Sequence, residues 1–173
     1  MQFGKSIAIA CTSFTITNID DMFLLVTFFS EASISQTMTP LRITLGQFIG
    51  FTVIVIISLI GFGVSYLLAT EPIGFMGFLP ILLGVWWVFG LLSTAEEEET
   101  FSYAAMKSIL KVSTITAMNG GDNIGTYVPL FSQAQKAEIG VYVVTYYILL
   151  GVWCLAAFLV MREKHILSLT LCT

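Results

Sequence analysis

IAIACTSFTITNIDDMFLLVTFF, residues 7–29, is long and apolar enough to cross a membrane, yet two carboxylates and an amide sit in its middle. Apolar flanks enclose Thr17-Asn18-Ile19-Asp20-Asp21, and Asn18 falls at the centre of the run. A second stretch, residues 109–131, repeats the arrangement, with its centre inside Asn119-Gly120-Gly121-Asp122-Asn123. Each motif reads Asn-x-x-Asp, which sets an amide oxygen and a carboxylate on one helix face. Ser13, Thr17 and Asp21 continue the first face. Ser113, Thr116, Asn119, Asp122 and Thr126 continue the second.

Three further runs have spanning length: residues 43–69, 75–92 and 141–161. Apolar residues make up 57% of the chain and charged residues 10%, against about 25% charged in a soluble domain. In lipid every backbone N–H and C=O must bond within its own segment, so the runs read as helices. The expected fold is an all-α integral membrane protein with five transmembrane helices, and the plasma membrane is its expected location. Residues 1–173 form a single polytopic domain. The tail at 162–173 reads as too short and too polar to cross, and no cleavable signal peptide is expected.

Matched motifs on the first and fourth spans imply two halves of three helices. The second half starts from the opposite side, which makes an inverted 3+3 repeat lacking its sixth helix. The first repeat covers about residues 1–93, and the second, incomplete one about 108–161. Arg42, Lys107, Lys111, Arg162 and Lys164 fall on one side of this arrangement, and Lys5 and Lys136 on the other. The positive-inside rule then puts the N-terminus outside.

A carboxylate near the middle of a spanning helix costs about 2.5–3.5 kcal/mol on insertion scales. Packing alone gives no return for such a cost at Asp20, Asp21 and Asp122, whereas oxygen-rich clusters of this kind coordinate cations. Asp21 and Asp122 are the expected principal metal ligands, with Asn18 and Asn119 as neutral oxygen ligands and Asn123 beside them. Asp20, about 100° around the helix from Asp21, is expected as a third ligand or as a proton carrier. Gly120 and Gly121 let the backbone unwind or a neighbour approach. Pro129 removes a backbone donor and frees the carbonyl of Gly125. Gly46 and Gly50 form a G-x-x-x-G, which permits close helix packing. The glutamate run at 96–99 reads as a solvated loop. Cys11, Cys154 and Cys172 lack metal-ligand spacing, imply no disulfide framework, and read as small apolar residues.

Thr17-Asn18-Ile19-Asp20-Asp21, Gly46-Gln47, and Asn119-Gly120-Gly121-Asp122-Asn123-Ile124-Gly125 followed by Pro129-Leu130-Phe131 resemble the cadmium resistance transporter family, which looks related to the lysine exporter superfamily. The resemblance runs from about Gln2 to Val160. It implies export of Cd2+ and similar divalent ions by a chain that usually has six helices.

No nucleotide-binding loop is present, so the energy is expected from an ion gradient or from a partner chain. Two adjacent carboxylates away from water repel each other when both are charged. A metal ion relieves that repulsion, and so do returning protons, which makes proton exchange the expected coupling. The lipid bilayer, the metal cation and protons are the expected partners. Self-association is allowed, nucleic acid is excluded, and no cofactor is expected because the divalent cation is cargo. Cadmium prefers sulfur, and neither motif carries a thiol; Mn2+ or Ca2+ suit these oxygens equally. Two other readings compete: an exporter of a small organic solute, and a membrane-embedded aspartyl enzyme using Asp21 and Asp122 as a dyad.

Overall fold

A computed structural model describes residues 3–34, 38–67 and 101–171. These residues form six helices: α1 (Phe3–Thr17), α2 (Ile19–Ile34), α3 (Pro40–Leu67), α4 (Phe101–Asn119), α5 (Gly121–Gln133) and α6 (Lys136–Leu171). No strand occurs among them. The expected third span, at 75–92, and the glutamate run at 96–99 lie outside the described residues.

Two helices are long and apolar enough to cross a membrane by themselves, Pro40–Gly63 and Lys136–Glu163. The pair α1 and α2 makes a third crossing if counted as one span, bent by 57°. The expected first span is therefore two helices meeting at Asn18. The α4–α5 pair, which covers the expected fourth span, is not among these crossings; it carries Lys107, Lys111, Asp122 and a stripe of hydroxyls and amides. The last helix runs through the polar residues that follow the expected span, from Lys136 to Leu171.

Both breaks have local causes. At Asn18 the side-chain N–H2 donates to the Phe14 carbonyl at 2.9 Å, the same carbonyl that accepts the Asn18 backbone N–H at 2.9 Å. An asparagine that competes for backbone partners in this way favours a helix end over a helix interior. Asp20 and Asp21 then occupy the first turn of α2, and Asp122 the first turn of α5, where carboxylates favour a helix N-terminus. The break at Gly120 is shallower. The Gly120 N–H still reaches the Thr116 carbonyl, and the Ile124 N–H reaches the Gly120 carbonyl, each at 3.1 Å. Glycine lets α3 pack closely there, because an added Cβ would strike the Ile54 side chain and force it to move.

Close packing sets the helix directions. A Cβ on Gly46 would lie 2.7 Å from Val112 Cβ, and one on Gly50 would lie 2.7 Å from the Ser113 carbonyl oxygen. The G-x-x-x-G pair thus brings α3 against α4 at backbone distance. Residues 46, 50 and 54 meet residues 112, 113 and 120 in rising order, so these two helices run parallel. The first broken pair runs the other way against the second: Thr17 meets Tyr127, Asn18 meets Asn123, and Asp21 meets Asn119.

Two buried clusters hold the bundle. One gathers Phe14, Phe51, Tyr127, Phe131 and Tyr146, with Tyr127 and Tyr146 stacked at 4.5 Å between ring centroids. The other gathers Leu25, Phe28, Ile43, Val112 and Cys154. Phe23, Ile60, Ile148 and Leu155 point outward and are exposed, as suits a bundle whose surrounding solvent is hydrocarbon. Charged groups gather at the two ends. Lys111 Nζ pairs with Glu31 at 2.8 Å at one end, and Ser6 Oγ donates to Glu138 Oε1 at 3.1 Å at the other.

Candidate functional site

The two breaks face each other across the bundle. Asn119, the last residue of α4, donates from Nδ2 to Asp20 Oδ2 at 2.7 Å and to Asp21 Oδ1 at 2.9 Å. Although an ideal helix would turn Asp20 and Asp21 well apart, one amide reaches both. They stand at the start of α2, beyond the bend, where their carboxylates converge on Asn119. Asp20 is half-buried and Asp21 is 1% exposed.

A second amide completes the surroundings of Asp21. Gln47 Nε2 on α3 donates to Asp21 Oδ2 at 3.3 Å, while Gln47 Oε1 accepts from Thr116 Oγ1 at 2.6 Å. Both Gln47 and Thr116 are buried. Neutral amides therefore supply the hydrogen bonds to a buried carboxylate, with no Lys, Arg or His paired to it among the described residues. A buried charge without a counter-charge is expensive.

Asn18 lies in a neutral neighbourhood beside this acidic one. Its Nδ2 is close to four acceptors: the Phe14 carbonyl at 2.9 Å, Thr17 Oγ1 at 3.0 Å, Asn123 Oδ1 at 3.0 Å and the Tyr127 hydroxyl at 3.0 Å. Its backbone carbonyl accepts from Trp153 Nε1 on α6 at 2.8 Å. Its side-chain oxygen has no partner, although Asn18 is fully buried. An unmatched buried acceptor is uncommon and calls for an explanation. The carbonyl of Phe14 can only accept, so the amide nitrogen must face it and the oxygen is the atom left free.

Of the residues expected at a metal site, the structure joins Asn119 to Asp20 and Asp21, and Asn18 to Asn123. Asp122 stands apart from both groups. It is exposed, its Oδ1 accepts the Asn123 N–H at 2.9 Å, and it interacts with Asp20 through charge. Asp20 Oδ1 accepts the Asp21 N–H at 3.0 Å in the same manner. Counted from the breaks at Asn18 and Gly120, Asp20 and Asp122 hold equivalent places, and so do Asp21 and Asn123. The Asn-x-x-Asp spacing pairs Asp21 with Asp122 instead, one residue out of step with the backbone.

Gln47, Tyr127 and Trp153 were not marked as site residues by the sequence motifs. Gln47 carries a faint signal, an amide in an otherwise apolar span. Tyr127 lies one helical turn after Asn123, and Trp153 has no local signal at all. Among the described residues no three His, Cys, Asp or Glu side chains come together as a metal-holding group. Cys11 is half-buried and free, and Cys154 is buried and free. Among the described residues, the side chains that surround the Asp20 and Asp21 carboxylates are the amides of Asn119 and Gln47, with the Thr116 hydroxyl behind Gln47.

Apolar outward faces and facing helix breaks with acidic first turns define an integral membrane protein of the transporter type. The family model for cadmium resistance transporters matches residues 14–169, nearly the whole chain, and the chain belongs to that family. This is a family of transporters and not of enzymes, which removes the aspartyl-enzyme reading. An integral membrane location follows, the plasma membrane in a transporter of this kind. No curated protein and no solved structure matches the chain.

Proposed function

We propose that the chain is a secondary transporter that exports divalent heavy-metal cations, Cd2+ foremost, in exchange for protons. The observation that carries this reading is Asp21. It is a buried carboxylate in contact with Asp20's partner Asn119 and with Gln47, and it meets no basic side chain among the described residues. Such a group needs a positive charge from outside the chain, and a metal ion or a proton supplies it in turn. Asp20 and Asp21 are the anionic ligands in this reading. Asn18 and Asn119 give neutral oxygens, and Asp122 and Asn123 extend the site from the second break. Asn119 now donates to the carboxylates, so metal entry would require its amide to turn.

The family's own substrate supports cadmium. The oxygen-only surroundings support weak, reversible holding, which suits an ion that must leave again. The inverted repeat is part of the same proposal, supported by the opposed directions of the two broken pairs and by the equivalent places of Asp20 and Asp122. Everted membrane vesicles test it. Cd2+ uptake should saturate, exceed uptake of Ca2+, and collapse when the proton gradient is dissipated. Uptake indifferent to the gradient would remove proton exchange, and absence of saturable Cd2+ uptake would remove the substrate.

A further inference from the structure

We infer that Trp153 and Tyr127 are positioning residues for the transported ion, acting through Asn18. This rests on the reading above, in which the first helix break holds the metal. A break inside an apolar layer frees backbone groups that lipid cannot satisfy. Here α6 supplies the missing donor: Trp153 Nε1 bonds the Asn18 carbonyl oxygen at 2.8 Å. Indole can donate and cannot accept, so this bond has one sense only. From α5, the Tyr127 hydroxyl takes the Asn18 amide nitrogen at 3.0 Å and stands 3.2 Å from Thr17 Oγ1.

Three of the four hydrogen-bonding groups of Asn18 are thereby engaged. Its N–H goes to Phe14, its carbonyl to Trp153, and its amide nitrogen to the acceptors around Tyr127. The fourth, Oδ1, is buried and free. The clamp fixes which way the amide faces and leaves its oxygen as the open coordination point. Tyr127 is itself fully buried and stacked on Tyr146, so its hydroxyl is held in place. Neither aromatic residue touches the ion; each sets the atom that does.

Two hydrogen bonds of ordinary strength govern the clamp, so loss of one should weaken metal holding about three- to tenfold. The test uses the full chain in reconstituted vesicles, with Cd2+ as the probe. Trp153→Phe and Tyr127→Phe should each raise the KM for Cd2+ by that factor while kcat per folded protein stays near the parent value. Tyr147→Phe, which removes only the bond to Thr52 at 2.8 Å, should leave KM unchanged. A merely structural role would lower the amount of active protein and not KM. An unaltered KM in both clamp variants, or an equal rise in Tyr147→Phe, overturns the inference. Absence of saturable Cd2+ transport in the parent chain would instead strike the reading on which it rests. A second measurement stands if Trp153→Phe fails to fold. With Trp86→Phe and Trp87→Phe, Trp153 is the sole tryptophan, and its emission should shift saturably with Cd2+. An emission that stays flat while the same protein binds Cd2+ overturns the clamp.

Discussion

Asn119 Nδ2 lies 2.9 Å from Asp21 Oδ1, which ties the end of α4 to the start of α2 at the point where both helices are interrupted. The two residues are far apart in sequence and belong to different motifs. Their bond draws the two motifs into one polar centre, and the consequences for substitution differ from residue to residue.

Asp21→Asn should lower the initial rate of Cd2+ transport by at least about tenfold, because a buried charge acts on a divalent ion with little screening. Expression should hold, since the change removes a buried charge of nearly the same shape. Asp122→Asn should have a smaller effect, because Asp122 is exposed and solvent weakens its field. The double variant should fall short of the product of the two single effects if both act on one ion. Rates of metal uptake over a range of concentrations decide this; an equal, independent loss from each would separate the two carboxylates.

Gly50→Val should destabilise the solubilised protein by about 1–3 kcal/mol through overpacking. The new side chain would meet the Ser113 carbonyl and the Thr116 side chain at 2.7 Å or closer contact with no flexible end to yield. Gly63→Ala, with open space around the added carbon, should be neutral or slightly stabilising. Thermal melts in one detergent compare them, and matching midpoints would contradict the tight seam.

Glu31→Gln removes the partner of Lys111, an exposed pair. The expected change in stability is under about 1 kcal/mol, as for other exposed pairs, and it should shrink further at high salt. Melts at low and high ionic strength measure both effects.

Topology follows from where the charges gather. Glu31 and Lys111 mark one end of the bundle, while Ser6 and Glu138 mark the other. The basic residues favour the first end as cytoplasmic. In a background with Cys11, Cys154 and Cys172 replaced by alanine, which should still transport Cd2+, a cysteine at Gln135 should react with an impermeant reagent outside intact cells. One at Ser33 should not. Reversed labelling would invert the assignment.

Much of this arrangement is legible in the sequence because polar residues inside apolar runs are rare and conspicuous. Asn18 and Gly120 mark the two breaks, and Asp20 and Asp21 mark the centre. The backbone register is not legible, because spacing along the chain matches Asn18 with Asn119, whereas the breaks match Asn18 with Gly120. Ile54 packs where a Cβ on Gly120 would stand, and a contact between distant helices leaves no local trace. The same reason hides Trp153. Tryptophans are common in membrane helices, and only the folded bundle sets this one against a freed carbonyl. Asp122 is the converse case, conspicuous in sequence and yet exposed, with its Oδ1 taken by the Asn123 N–H and no hydrogen bond to the Asn119 cluster.

The glycine seam between α3 and α4 has a mechanical meaning. Contacts made by backbone and Cβ atoms contain no rotatable side-chain bonds, so the seam has no soft coordinate along which to slide. The two helices form a stiff frame, with Gln47 and Thr116 fastened across it at 2.6 Å. The bend of 57° between α1 and α2 rests against that frame through hydrogen bonds, which can be exchanged one at a time. On the proposed reading of this chain as an exporter, Asp21 would be uncovered to one side of the membrane and then the other by the elbow flexing on a fixed post.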